Sequence, residues 1–322
     1  MLIGAITPRT KTMMKPPLLI VWLFLLTVIP LPVALGYESS TDFSGGHLKG
    51  RVILTGPPPP PKRSNLVLNP DPYFCGRISD GRGWRLSRIT SVGPLHSLKG
   101  AIVYLKEIKK GKPFSVMPRL LKLQNCAFLP SSSGMQRGEP LHIENWDPVQ
   151  HQLEFFLTSN EGGIRLFGAD LPPHPDNRKS DYLWEGKTGT PRPGPEKMFT
   201  VDQPGILYFR CNYHNYMEGW RIAFTHPYYS MTQESGEFTI ADIPPGPYIL
   251  MVWHPQGTVE TPVHILARKT VSLDIQISLS VSTNEEEKPS TPHSFAIDLV
   301  GDQHIVPSVE LQTWDPSWSK AP

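Results

Sequence analysis

Ile206-Leu207-Tyr208-Phe209-Arg210-Cys211-Asn212-Tyr213-His214-Asn215-Tyr216-Met217 is the stretch on which the fold reading turns. Its first half is a short apolar and aromatic run of the kind that pleats into a strand. The chain then turns through polar residues, so that within seven positions a thiol, an imidazole and a thioether follow a strand end.

Working outward, the same strand signature recurs at Gly50-Arg51-Val52-Ile53-Leu54, Ala101-Ile102-Val103-Tyr104-Leu105, Leu141-His142-Ile143-Glu144-Asn145 and Tyr248-Ile249-Leu250-Met251-Val252-Trp253. Gly and Pro bound these runs, and no stretch sustains helical periodicity, so an all-β protein is expected. The 36 prolines are too many for strand interiors and belong mostly to connections. The run Pro57 to Pro61 reads as polyproline II, residues 168 to 197 as a long irregular loop, and residues 281–322 as a linker and tail.

At 322 residues the chain has room for about two domains. The net charge of +2 is close to neutral and the basic residues are scattered, which argues against a nucleic-acid partner. Arg9, Lys11 and Lys15 precede an apolar run from Leu18 to Ile29, followed by Ala34-Leu35-Gly36, so residues 1–36 read as a cleaved secretory signal peptide. Pro30 and Pro32 cut that run short of a spanning helix, and no membrane span is expected after cleavage. A periplasmic or extracellular location follows, and in an oxidising compartment Cys75, Cys126 and Cys211 read as one disulfide plus one thiol with another role.

Cys211, His214 and Met217 can fold back as one tight loop with three side chains aimed at a single ion. The best further ligand is His151, which follows the strand end and turn of Asn145-Trp146-Asp147-Pro148-Val149-Gln150. Two imidazoles, a thiolate and a weak axial Met make up the donor set of blue-copper electron-transfer sites, whose ligands tolerate both Cu(I) and Cu(II). Zinc does not normally recruit Met. A Cys-His hydrolase would need an orienting group and an oxyanion hole that cannot be assigned, and a multicopper oxidase would need His-x-His pairs, of which there are none.

These residues resemble the cupredoxins. The C-x-x-H-x-x-M spacing of Cys211, His214 and Met217 is that of amicyanin-type ligand loops, and Asn145, Asp147 and His151 resemble the segment supplying the first histidine. The likeness covers about residues 112 to 225. It implies a Greek-key β-sandwich with one copper ion held by His151, Cys211, His214 and Met217, acting as a one-electron carrier rather than an enzyme. It also implies a redox partner protein docking near His214 on Tyr213, Asn215 and Tyr216, with Trp220 expected to pack internally rather than join that face. Copper storage or delivery, or a structural accessory role in a secreted redox complex, is the alternative. Gln152 stands where the family usually has Asn or a small polar residue, and Tyr213 where it often has Pro. With Cys211 on copper, Cys75 and Cys126 are left to pair.

Downstream, Thr232 to Phe238 matches a T-x-x-x-G-x-F turn and Pro244-Pro245-Gly246-Pro247-Tyr248 a P-x-G-x-Y turn. Both resemble the carboxypeptidase regulatory-like module, a transthyretin-like β-sandwich. The module's opening strands are matched far upstream, at Gly50-Arg51-Val52 and Val103-Tyr104-Leu105. The expected partition is therefore residues 47–110 plus 226–280 for this sandwich, with the cupredoxin-like domain, 111–225, inserted in it; the alternative is two consecutive domains, with the early strands belonging to the cupredoxin-like one. His226 and His254, each directly before a Pro, are expected to be structural rather than a second metal site.

Overall fold

The computed structural model describes residues 4, 36–87, 89–115, 119–159, 162–177 and 191–280. The signal-peptide reading of residues 1–36 and the tail at 281–322 lie almost wholly outside these, as does the middle of the proposed irregular loop. The described chain is nearly all strand, with a single four-residue α-helix, and forms two packed sandwiches.

The first sandwich uses strands between residues 119 and 224. One sheet has the order Phe128–Leu129, Arg119–Leu123, Pro140–Asn145, Lys197–Thr200. The facing sheet has the order Ser132–Gln136, Glu218–Phe224, Gly205–Cys211, His151–Ser159, Gly162–Leu171. Alternation of side chains decides what each strand buries. In Gly205–Cys211 the residues Leu207, Phe209 and Cys211 point inward, and in the neighbouring strand so do His151, Leu153 and Phe155. The core they enter also holds Leu121, Leu141, Ile143 and Leu171. Gly219 lets Phe209 pack flat against the next strand, since a β-carbon there would sit 2.4 Å from the Phe209 ring.

Residues 168–171 are not loop: they continue the strand Gly162–Leu171, whose Leu171 is fully buried. The polar and glycine-rich composition concealed this, because Gly168 marks a close approach of the Arg165 guanidinium rather than a break.

The second sandwich joins the sheet Tyr229–Met231, Ile102–Leu105, Gly246–His254, Gly257–Ile265 to the sheet Glu237–Ile243, Gly46–Thr55, Thr270–Ser278. Its strands come from both sides of the first sandwich in sequence. Residues 50–54 and 248–253 lie in facing sheets, and Val52, Leu250 and Val252 share one core. Gly50 sits mid-strand, where a β-carbon would lie 1.8 Å from the Leu273 carbonyl oxygen, so any side chain would separate the two parallel strands.

A third cluster joins the two sandwiches. Ile222 and Phe224, on the outward side of one sheet, pack against Ile102 and Trp253. Within the stretch 47–110, however, Lys62 to Ser87 does not belong to the second sandwich's core. The hairpin of Lys62–Asn65 with Trp84–Ser87 and the helix Pro72–Cys75 lie on the first sandwich, where Leu66, Phe74 and Cys75 join its core. A disulfide from Cys75 to Cys126 ties this lid down. The sequence pattern could not assign the segment, because only three of its apolar side chains, Leu66, Phe74 and Cys75, are buried.

Candidate metal centre

Strand register brings the first two donors together. Leu153 lies opposite Cys211 in the antiparallel pair, so His151 is the diagonal neighbour of Cys211 on the inward face. Diagonal partners are within reach of long side chains. After Cys211 the chain turns back, with the Met217 N–H bonded to the His214 carbonyl at 2.8 Å and the Cys211 N–H bonded to the Met217 carbonyl at 3.1 Å. That closed loop swings His214 over the same spot.

The result is a buried triad of donors. Cys211 Sγ lies 3.6 Å from His151 Nδ1 and 3.7 Å from His214 Nδ1, and the two Nδ1 atoms are 3.2 Å apart. Among the described residues this is the one grouping of three or more His, Cys, Asp or Glu side chains disposed to hold a metal. A first-row ion bonded at about 2.0 Å to nitrogen and about 2.3 Å to sulfur requires S···N separations of about 3.4–3.8 Å and an N···N separation of about 3.1–3.5 Å for angles near 100–120°. All three observed distances satisfy this with one ion. Met217, 2% exposed, closes the same loop. Two imidazoles and a thiolate so disposed fit a single copper ion.

Asp147 holds the His151 ring in place. Its carboxylate, 1% exposed, accepts the N–H groups of Asn125 at 2.6 Å and Cys126 at 2.9 Å, and contacts His151 Nε2 at 3.0 Å. With Nε2 committed to Asp147, Nδ1 is left to face the donor cluster. Asn145 in turn bonds the Asp147 N–H through Oδ1 and donates Nδ2 to the carbonyls of Val149 and Leu171, which fixes the turn.

The electrostatics favour a thiolate. Burial pushes the Cys211 thiol up, but hydrogen bonds with His151 and His214 outweigh it and hold the pKa down at about 5. Burial lowers the His151 pKa, yet the Asp147 and Cys211 contacts raise it to about 9. Gln152, the departure from the resembled pattern, still ties the two ligand segments. Its carbonyl accepts the Asn212 N–H at 2.9 Å, its Oε1 accepts Asn212 Nδ2 at 3.1 Å, and its backbone N–H reaches Cys211. The backbone makes part of this tie, so it does not depend on residue type.

The structure corrects the expectation of an open face at His214. That ring is fully buried beneath the lid, with Nε2 lying 3.8 Å from the Asp71 carboxylate. Tyr216 is 3% exposed and packs near His214 and under the Arg85 guanidinium, so it is no surface residue. Tyr213 and Asn215 are exposed and Trp220 is half-buried. Nothing in the pattern of residues 62–87 signals a cover over the site. The cysteine at position 75, required to pair elsewhere, was the available clue.

His226 and His254 do not meet at a second site. His226 Nδ1 accepts the Tyr228 N–H and His254 Nδ1 accepts the Gln256 N–H, while their other nitrogens bond the Leu105 and Ile89 carbonyls. Burial lowers both pKa values to about 4.

No family model and no curated protein sequence matches the chain. Among solved structures it is similar to a purple cupredoxin from Nitrosopumilus maritimus, at 14% identity over 33% of this chain and 99% of that one, with a TM-score of 0.24. Amicyanin from Paracoccus versutus matches at 13% identity over 38% of this chain and 97% of that one, TM-score 0.24. A copper-containing nitrite reductase from Thermus scotoductus matches at 16% identity, with 35% of this chain covering 24% of that one, TM-score 0.24.

Proposed function

We propose that this chain is an exported one-electron carrier holding one type 1 copper ion through His151, Cys211, His214 and Met217. The observation that carries the reading is the meeting of two Nδ1 atoms and one thiolate at 3.2 to 3.7 Å inside a closed core. Copper bound there supplies a centre that alternates between Cu(I) and Cu(II).

The chain's own residues supply rigidity. His151 is locked by Asp147, Cys211 is anchored in the register of the sheet, and the loop from 211 to 217 is closed by its own backbone bonds. Ligands that hold one arrangement in both oxidation states keep reorganisation small, as electron transfer requires. All three donors are buried, which supports a carrier over an enzyme.

A partition in which the cupredoxin-like domain is inserted into the second sandwich is part of the same proposal, supported by the two-sided origin of that sandwich's strands. Export is supported by the disulfide, since such bonds persist in oxidising compartments. Among the described residues no helix is long and apolar enough to cross a membrane. The redox partner is proposed to be a protein, with exposed Tyr213 as part of its contact.

The test is the visible spectrum of the mature protein after addition of Cu(II), beside the Cys211→Ala variant. An intense thiolate-to-copper band present in the wild type and absent from the variant is the expected result. A folded wild-type protein with no such band would overturn the reading.

A further inference from the structure

Arg221 is 1% exposed, a depth at which a charged side chain is ordinarily paired. It stands in the strand Glu218–Phe224, where alternation sends Ile222 and Phe224 outward to the second sandwich and Arg221 and Ala223 inward. Across the two neighbouring strands it lies opposite Leu207 and Ser133. The core around it is apolar, with Leu207, Met135 and Ala223 among its members.

The partners of this guanidinium are neutral. It donates to the Pro130 carbonyl at 3.1 Å and to the Trp220 carbonyl at 3.4 Å, and it lies 5.3 Å from the centre of the Phe209 ring. No carboxylate among the described residues forms an ion pair with it. The charged group that acts on it is Arg119, a second cation, which is itself paired with Glu139 at 3.3 Å. Arg85 in the lid is different, because Asp147 offsets its charge. Burial, with Arg119 adding to it, lowers the Arg221 pKa to about 9, so the group is still ionised at neutral pH. A buried charge without a counterion is costly, and an apolar residue of similar volume in its place is often neutral or stabilising. Packing alone therefore gives no reason for a cation at this position.

The same inner face carries the donor cluster. Leu207, Phe209 and Cys211 alternate along one side of a strand, and the Phe209 ring stands between the guanidinium and Cys211. Strand rise puts Arg221 on the order of 10–14 Å from Cys211. One-electron reduction lowers the charge of the copper site by one, so a fixed positive charge in the same dry core favours Cu(I) over Cu(II).

We propose that Arg221 is a potential-setting residue, whose uncompensated charge behind Phe209 raises the reduction potential of copper held by His151, Cys211, His214 and Met217. The inference rests on the electron-carrier reading and adds to it the direction in which the site is poised, toward accepting an electron from the redox partner.

The experiment is a potentiometric titration of the copper-loaded full mature chain at pH 6, followed through the thiolate-to-copper band, in the wild type and three variants. With an effective dielectric of about 20 and a separation of about 12 Å, loss of the charge in Arg221→Met is expected to move the Cu(I)/Cu(II) equilibrium about tenfold toward Cu(II), a downward shift of about 59 mV. Arg221→Lys keeps the charge and is expected to stay within about threefold of the wild type. Ser133 lies directly opposite Arg221 on the neighbouring strand, so Ser133→Asp supplies the missing counterion. That variant is expected to shift the equilibrium in the same direction as Arg221→Met, and it keeps the test decisive if Arg221→Met does not fold. A shift below about twofold in the folded charge-removing and charge-pairing variants would overturn the proposal. So would a shift in Arg221→Lys as large as in Arg221→Met, which would assign the effect to packing. A wild-type chain without the band would overturn the copper reading and this inference with it, whereas a normal band with an unmoved potential overturns this inference alone.

Discussion

Removing the bridge that holds the lid is the perturbation with the most direct consequence for the donor cluster. In the Cys75→Ser/Cys126→Ser double variant the cross-link across 51 residues is lost. The chain-entropy relation gives about 14 cal/mol/K for a loop of that length, or about 4 kcal/mol at 25 °C, as an upper limit on the stability lost. The lid is then held mainly by Leu66 and Phe74, each worth about 1.5–3 kcal/mol of apolar burial. Its opening uncovers His214 and, behind it, Cys211, which is the single free cysteine in both proteins. The assay is the rate at which an aromatic disulfide reagent modifies Cys211 in the copper-free chain at neutral pH. A thiol with its pKa near 5 is ionised there, so access limits the rate. If all the lost stabilisation falls on local opening, about 4 kcal/mol corresponds to a rate increase of up to about 10³-fold. The increase should depend weakly on denaturant, because little surface is exposed when only the lid moves. A rate within about threefold of the wild type, in a variant whose circular dichroism and unfolding midpoint show a folded chain, would refute the view that this segment closes the site.

Two further outcomes follow from single groups. Asp147→Ala frees the His151 ring and strands the Asn125 and Cys126 N–H groups, so copper affinity should fall by about 10- to 100-fold in a competition titration with a chelator. Stability should drop by about 3–5 kcal/mol in urea melts, and affinity unchanged by this substitution would count against a positioning role for Asp147. His254 has its pKa lowered from 6.5 to about 4 by burial, so the unfolded chain binds a proton in that window that the folded chain refuses. Stability should therefore be complete above pH 6.5 and decline as the pH falls toward 4, by at most about 3 kcal/mol from this group. His254→Gln should flatten that decline relative to wild type in urea melts across the same range. A slope equal to that of the wild type would show that this histidine does not stay neutral in the folded chain.

Much of the donor set was legible because its members are set by local rules. Period-two alternation puts Leu207, Phe209 and Cys211 on one face, so a thiol at the end of an apolar run is bound to point inward. A loop of six further residues returning to Met217 carries His214 by spacing alone. His151 was reachable as the other histidine at a strand end, but the sequence could offer no distance. That came from the pairing of Leu153 with Cys211, a contact across 58 positions that local pattern does not encode. Asp147 lies in the sequence pattern around His151, yet its role as an anchor between the His151 ring and two backbone amides is visible only when the turn at Asn125 and Cys126 is placed beside it.

What the sequence determined by itself was the all-β class, the inward aim of Cys211 and the chemical type of the donor set, since each depends on alternation, spacing and side-chain chemistry within a few residues. Only the tertiary structure decided that His214 is sealed under residues 62–87. It also decided that one sandwich is built from both ends of the described chain. The reason is physical: those features arise where surfaces far apart in sequence meet, and the free energy of such meetings comes from mutual burial, which no local stretch of residues carries.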